Sequence, residues 1–169
     1  MKSNATILIV STLLVLLFAY TAISKFLDFE TFRGQMLNQP LPISLSSQLA
    51  WAVPLIELVV AIMLIRKFTR LMGLALSLVL MAAFTIYVGL IVANAFDRVP
   101  CSCGAIMESL SWKGHLAVNI FFLILSTIGF ILEMRKKRYR TTLLVKYRDR
   151  LPILVRGRQK GKAENPKKE

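Results

Sequence analysis

Three long stretches of this sequence contain no charged residue at all. Lysine, arginine, aspartate and glutamate are absent from residues 3–24, 71–96 and 114–132. A soluble domain has about a quarter charged residues and spaces its apolar residues periodically, whereas this chain of 169 residues is 18% charged and 56% hydrophobic. The uncharged blocks exclude a soluble globule, a disordered chain and a small disulfide scaffold. They indicate a protein that lies in a membrane.

Four segments are long and apolar enough to cross a bilayer. A spanning helix needs roughly 20 mainly apolar residues, and residues 5–23, 48–65, 71–95 and 114–132 meet this requirement. Four spans with short connections favour an antiparallel up-down-up-down bundle. The sequence therefore predicts an all-α integral membrane protein whose four-helix transmembrane domain covers residues 1–134.

The net charge of +13 is concentrated after the last span. Fourteen of the 22 lysines and arginines follow Leu132, a pattern typical of an anionic-lipid contact and an orientation signal rather than of a nucleic-acid-binding surface. Eighteen of the 22 lysines and arginines fall on one side of the predicted spans, so both termini are expected in the cytoplasm. Residues 135–169 would then be a basic cytoplasmic tail with a disordered end over residues 159–169.

The two outward loops would be residues 24–47 and 96–113. The first loop interleaves bulky apolar residues with charged ones over residues 26–37, which predicts a short amphipathic helix lying in the membrane interface. Pro40 and Pro42 are expected to end that helix before the chain re-enters the membrane.

Both cysteines of the chain, Cys101 and Cys103, lie in the second outward loop. In a bacterial inner membrane this loop faces an oxidising compartment. A disulfide between thiols one residue apart closes a small, strained ring, and strained exposed disulfides are the labile or catalytic ones. So short a loop removes too little unfolded-state entropy for a structural staple. A redox-active dithiol is favoured; the alternatives are a copper(I) site with Met107 or His115 as third ligand and inert free thiols.

His115 and Asn119 lie at the outer end of the fourth span. His115 is the only histidine and follows Cys103 by twelve residues, so it is a candidate to lower a thiol pKa or to shuttle protons during thiol exchange. The alternative is an interfacial histidine bonded to a loop carbonyl. Asn119 lies one turn deeper on the same face, where it would orient His115 or bond another helix.

Glu57 interrupts the second span nine residues after Gln48, which places it well below the outer surface, in the outer half of the membrane. A carboxylate there is costly unless it is paired, protonated or in a wet cavity, and it therefore marks a candidate functional site. The expected partner is Lys25, with Tyr20 or Thr21 as polar alternatives. Glu57 is interpreted as a proton relay or cofactor contact, or else as a purely structural glutamate.

Short motifs are distributed along the predicted spans and outward loops. They are YTAISKFLDF at 20–29, QPLP at 39–42, PLIEL at 54–58, CSCG at 101–104, and LSW at 110–112 followed by Asn119. Over roughly residues 5–132 these motifs resemble the MauE/DoxX family of redox-associated membrane proteins, especially its Bacteroidetes-type members.

The resemblance implies a four-helix bundle like that of DoxX and, more distantly, of the disulfide-generating enzymes VKOR and DsbB. It implies that Cys101 and Cys103 are the redox pair, and that Lys25, Asp28 and Glu57 occupy the family's polar positions. MauE itself is associated with the maturation of methylamine dehydrogenase, in which disulfides must form.

The leading prediction is an inner-membrane thiol–disulfide redox protein. One of the two cysteines would form a mixed disulfide with a periplasmic thioredoxin-like partner or client, and a quinone in the bundle is the candidate electron carrier. The candidate acid–base group is His115, the candidate neighbour of the carrier is Glu57, and the candidate cofactor contacts are Lys25, Asp28, Glu57 and Asn119. The rival predictions are a non-catalytic membrane assembly factor and a copper-handling protein.

Overall fold

The computed structural model describes residues 2–39, 42–93, 95 and 111–163, and every regular element in this part of the chain is an α-helix. The helices are α1 (Lys2–Leu27), α2 (Phe29–Leu37), α3 (Ile43–Ile65), α4 (Arg70–Val92) and α5 (Trp112–Ala163). Four of them, α1, α3, α4 and the first part of α5, are long and apolar enough to cross a membrane. The predicted all-helical class is therefore confirmed, and so is the presence of four helices of spanning length and composition.

Two helix boundaries differ from the predicted spans in ways that affect the site. α1 continues past Ile23 to Leu27, which puts Lys25 in its last turn. α3 begins at Ile43 and not at Gln48, so Glu57 lies fourteen residues, or about 21 Å, along that helix. The sequence-based bounds stop at the first polar residues, whereas backbone hydrogen bonding carries both helices through them.

The chain divides into two compact units, Met1–Leu132 and Glu133–Glu169. In the second unit α5 runs on to Ala163, so it includes the first five residues of the segment 159–169 for which disorder is expected. Within this unit Lys136 Nζ lies 3.8 Å from Glu133 Oε2, one helical turn away. The side chains of residues 137–143 are exposed.

The core of the first unit is a stripe of apolar side chains from α1, α3 and α4. Val10, Leu14 and Phe18 recur every four residues on α1, which puts them on one helix face, and they pack with residues of α3 and α4 such as Leu64 and Leu74. Many other large apolar side chains are exposed along the same helices. Such outward apolar surfaces suit helices that face lipid.

α5 packs closely against α1 and α4 through a glycine. A Cβ atom at Gly129 would lie 2.9 Å from Val10 Cγ1 and 2.9 Å from Leu74 Cδ2. The missing side chain lets these helices approach, as small residues do at membrane helix interfaces. This contact sets the part of α5 around Gly129 beside α1 and α4.

α2 is the short helix predicted within residues 26–37, and its existence is confirmed. It packs mainly against α3, where the rings of Phe29 and Trp51 have centroids 4.1 Å apart. Phe32, on the side of α2 facing α1, is buried. α2 thus lies over the end of α1 that carries Lys25 and over the part of α3 that carries Trp51.

Candidate functional site

A buried ion pair joins α1 to α3. Lys25 Nζ lies 2.7 Å from Oε1 and 2.9 Å from Oε2 of Glu57, so one ammonium donates hydrogen bonds to both carboxylate oxygens. Lys25 is 5% exposed and Glu57 is 1% exposed. The predicted pairing of Glu57 with Lys25 is confirmed, and each charge is tolerated in the interior because the other is present.

Local sequence explains why these two side chains meet. Lys25 lies in the last turn of α1, where the negative end of the helix dipole favours a cation. Glu57 follows the buried Pro54 by one turn of α3, and because proline lacks an N–H group, the carbonyl of Ala50 loses its helical donor. Thr21, one turn before Lys25, donates to the carbonyl of Phe18 at 3.2 Å.

A cavity of about 260 Å³ lies beside the ion pair. Its walls are mostly apolar and come from α1, α3 and α4, including Leu17, Phe18, Val53, Met81 and Phe84. The polar groups on its surface are those of the ion pair together with Thr21, Gln39, Tyr87 and Asn119, and the Trp112 ring also lines it. An apolar pocket with a few convergent polar groups is the usual form of a small-molecule site.

α2 and the residues after it cover the cavity next to Lys25. The Phe32 ring centroid lies 5.7 Å from Lys25 Nζ, a distance that gives a favourable cation–π interaction. Met36 and Gln39 line the same cavity, and the Tyr87 hydroxyl of α4 donates a hydrogen bond to Gln39 Oε1. α2 and the residues after it therefore contact α1 through Phe32, α3 through Phe29 and α4 through Gln39.

The structure brings three of the predicted site residues together in one cavity, places His115 beside it and leaves Asp28 outside it. Lys25, Glu57 and Asn119 line the one cavity. His115 is buried next to it, with its ring centroid 5.7 Å from that of Trp112. Asp28 is exposed, is the N-cap residue of α2 without a side-chain capping bond, and does not belong to the cavity lining.

Cys101, Cys103 and Met107 lie outside the described residues. They belong to the segment that joins the end of α4 to the start of α5. Tyr87, five residues before the end of α4, and Trp112, the first residue of α5, both line the cavity. Among the residues that the structure describes, no group of three histidine, cysteine or acidic side chains is placed to hold a metal ion.

Gln39 and Tyr87 line the cavity but were not among the site residues predicted from the sequence. The available signal for Tyr87 was a phenol inside an otherwise apolar span, and for Gln39 it was an amide directly before two closely spaced prolines. Neither signal identifies a partner, because their contact depends on how α2 folds back over the helices.

Comparison with known proteins gives a family match over most of the chain. The family model described as "Methylamine utilisation protein MauE" matches residues 3–132. This range contains all but the first residue of α1, all of α2 to α4, the first part of α5 and every residue that lines the cavity. Neither the curated proteins nor the solved structures that were searched contain a match.

Proposed function

This chain belongs to the MauE family of methylamine utilisation proteins, and from that premise we propose that it is a membrane thiol–disulfide redox protein. Its family and its four spanning helices make it a multi-pass membrane protein linked to methylamine utilisation. In the proposal, Cys101 and Cys103 exchange electrons between a periplasmic thioredoxin-like partner or client and a quinone in the membrane.

One observation carries the proposal. The cavity beside the Lys25–Glu57 pair is lined by Tyr87 near the end of α4 and by Trp112 at the start of α5. The chain between these two helices carries both cysteines. A carrier bound in the cavity would thus have as neighbours the two helices from which the thiol-bearing segment departs.

The proposed reaction consists of two thiol exchanges followed by one step that transfers two electrons to a quinone. A thiolate of the reduced partner attacks one sulfur of the Cys101–Cys103 disulfide, forming a mixed disulfide and releasing the other cysteine as a thiolate. The partner's second thiolate then attacks the mixed disulfide, so the partner leaves oxidised and both cysteines are reduced. The dithiol passes two electrons and two protons to a quinone, which becomes a quinol while the cysteine disulfide re-forms.

His115 is the proposed acid–base group for these exchanges. It is buried in the first turn of α5 beside Trp112, and it follows the cysteine segment directly in sequence. An imidazole has one nitrogen that can accept a proton and one that can donate a proton, which suits proton transfer to and from thiols.

The proposal includes an orientation in a bacterial inner membrane. The proposed topology puts the connection between α3 and α4, which carries Arg66, Lys67 and Arg70, on the same side as the tail after Leu132. Cytoplasmic loops carry the excess of lysine and arginine. Both termini would then be cytoplasmic, and the cysteine segment would face the periplasm.

A non-catalytic membrane assembly factor is the second candidate. The observation that favours it is the completeness of the ion pair, because both oxygens of Glu57 are already bonded to Lys25, as expected of a purely structural link. In this reading the bundle holds a partner protein and the cysteines are incidental.

Single-cysteine variants separate the two candidates. For a redox protein, C101S or C103S is expected to trap a partner in a reductant-sensitive adduct, which mass spectrometry identifies, while S102A behaves as the native protein. The double variant C101S/C103S should form no adduct and should leave the trapped client's disulfide unformed in cells. Normal client maturation in the double variant would support the assembly factor instead.

A further inference from the structure

The geometry points to the cavity beside Lys25 and Glu57 as the binding site of a neutral, lipid-soluble, one-ring ligand that carries hydrogen-bond acceptors. The ring of a quinone has this chemistry. The identification of the ligand as the electron carrier rests on the proposed function, whereas the binding site itself rests on the charge balance, the size and the hydrogen-bond donors of the cavity.

Charge balance is the first argument, and it selects a neutral ligand. Lys25 and Glu57 are the charged residues in the cavity lining, and they neutralise each other at 2.7 Å. An anionic ligand would compete with Glu57 for Lys25, and a cationic ligand would compete with Lys25 for Glu57. Either competitor would leave a buried charge without its partner, which is strongly unfavourable.

Size and access are the second argument. The cavity, at about 260 Å³, is just below the roughly 300–1,000 Å³ of sites for drug-sized molecules, so it suits a single ring. Ala83 belongs to the lining and is exposed, which marks an opening near the middle of α4. The middle of a spanning helix faces hydrocarbon, and a ligand that enters there must be soluble in lipid.

Hydrogen-bond donors are the third argument. An ammonium group has three donors, and Lys25 uses two of them on Glu57. Asn119 lines the cavity, and its side chain makes no hydrogen bond within the part of the chain that the structure describes. The third N–H of Lys25 and the amide of Asn119 are therefore available to ligand acceptors such as quinone carbonyls, while Trp112 offers an aromatic wall.

Trp112 also provides the measurement. The chain has two tryptophans, and Trp51 packs against Phe29 outside the cavity lining, so W51F protein in nanodiscs reports from Trp112 alone. A benzoquinone with a single isoprenoid unit is the probe. Saturable quenching of Trp112 is expected, and a sulfonated quinone should give none.

Two adjacent alanines of α4 supply a matched pair of variants. In the W51F background, A83L fills the lining and is expected to weaken binding by about tenfold, whereas A82L makes the same change outside the lining and should stay within about twofold. N119L should weaken binding by about three- to tenfold through loss of one hydrogen bond. Linear quenching, equal binding by A83L and A82L, or equal binding of the sulfonated probe would overturn the inference.

The same titration with C101S/C103S separates this inference from the proposed function. Saturable binding in this variant, together with native cysteines that never exchange in cells, would support the cavity site and refute the redox function. Cysteine exchange in cells without saturable binding of the probe would refute the cavity site and leave the redox function with another electron carrier.

Discussion

Lys25 and Glu57 lie 32 positions apart in sequence and form a doubly hydrogen-bonded contact between α1 and α3. A buried pair of this kind adds little net stability compared with two well-packed apolar residues, but removal of one partner leaves an uncompensated charge. The effect of substituting both residues should therefore differ from the sum of the two single effects.

At this residue scale we expect strong coupling between K25M and E57L. Each single variant should lower the free energy of unfolding by about 3–5 kcal/mol, whereas K25M/E57L should lie much closer to the native protein. Reversible unfolding of purified protein in mixed micelles measures the three values. E30Q is the control, because the Arg33–Glu30 pair is exposed with its atoms 3.9 Å apart, and it should change little. Additive losses in the double variant would contradict this interpretation.

The pairing itself was predictable from sequence, because a carboxylate inside an apolar block requires a partner and Lys25 lies at the end of the neighbouring span. Asp28 looked equivalent in sequence, since it is only three residues further on. It lies beyond the end of α1, as the N-cap of α2, and its side chain is exposed. The spacing of Lys25 and Asp28 in the sequence does not reveal that α1 ends at Leu27, between them.

α2 is the element that connects the site to three helices. Phe32 contacts Lys25 of α1, and Phe29 contacts Trp51 of α3. Gln39, just after α2, accepts a hydrogen bond from Tyr87 of α4. A nine-residue helix is too short to be stable alone in water. Its order therefore depends on these tertiary contacts.

At the element scale we expect Y87F to loosen α2. Loss of the hydroxyl removes the hydrogen bond to Gln39, so amide exchange of residues 29–37 should become faster while the centre of α3 keeps its protection. Hydrogen–deuterium exchange with mass spectrometry in nanodiscs measures this. Y20F is the matched control, because Tyr20 is 42% exposed on α1. Unchanged amide exchange of α2 in Y87F would show that the hydrogen bond between Tyr87 and Gln39 does not hold α2 in place.

Four long apolar segments, three of them without any charged residue, predicted the four helices of spanning length, because lipid accepts only segments whose backbone groups are bonded internally. The contact of Gln39 with Tyr87 was not predictable in this way. It depends on the path of the chain between α2 and α3 and on the packing of α4, and hydropathy carries no information on either. The sequence thus indicated the helices and the ion pair but not the cover of the cavity.

The molecule as a whole combines outward apolar helix surfaces with an uneven distribution of cations. Eighteen of its 22 lysines and arginines lie at the first residue of α1, at the connection between α3 and α4 including the first residue of α4, or after Leu132. By the positive-inside rule, this bias predicts that both termini are cytoplasmic. The proposed function requires that orientation, because thiol exchange with a periplasmic partner needs the cysteines outside.

At the whole-molecule scale we expect the native thiols to be labelled from outside. After mild reduction, an impermeant maleimide added to intact spheroplasts should modify Cys101 and Cys103. A cysteine introduced at Lys67 in C101S/C103S should react only after lysis. Protection of the native pair until lysis would invert the proposed topology and remove the periplasmic partner.

The most direct test is the redox state of Cys101 and Cys103 in living cells, trapped by acid quenching and alkylation with a mass-shifting maleimide. We predict a pair that is mostly disulfide when membranes contain quinone and that accumulates as dithiol when quinone synthesis is blocked, with C101S/C103S showing no shift in either condition. A pair that stays fully reduced in both conditions would contradict the account.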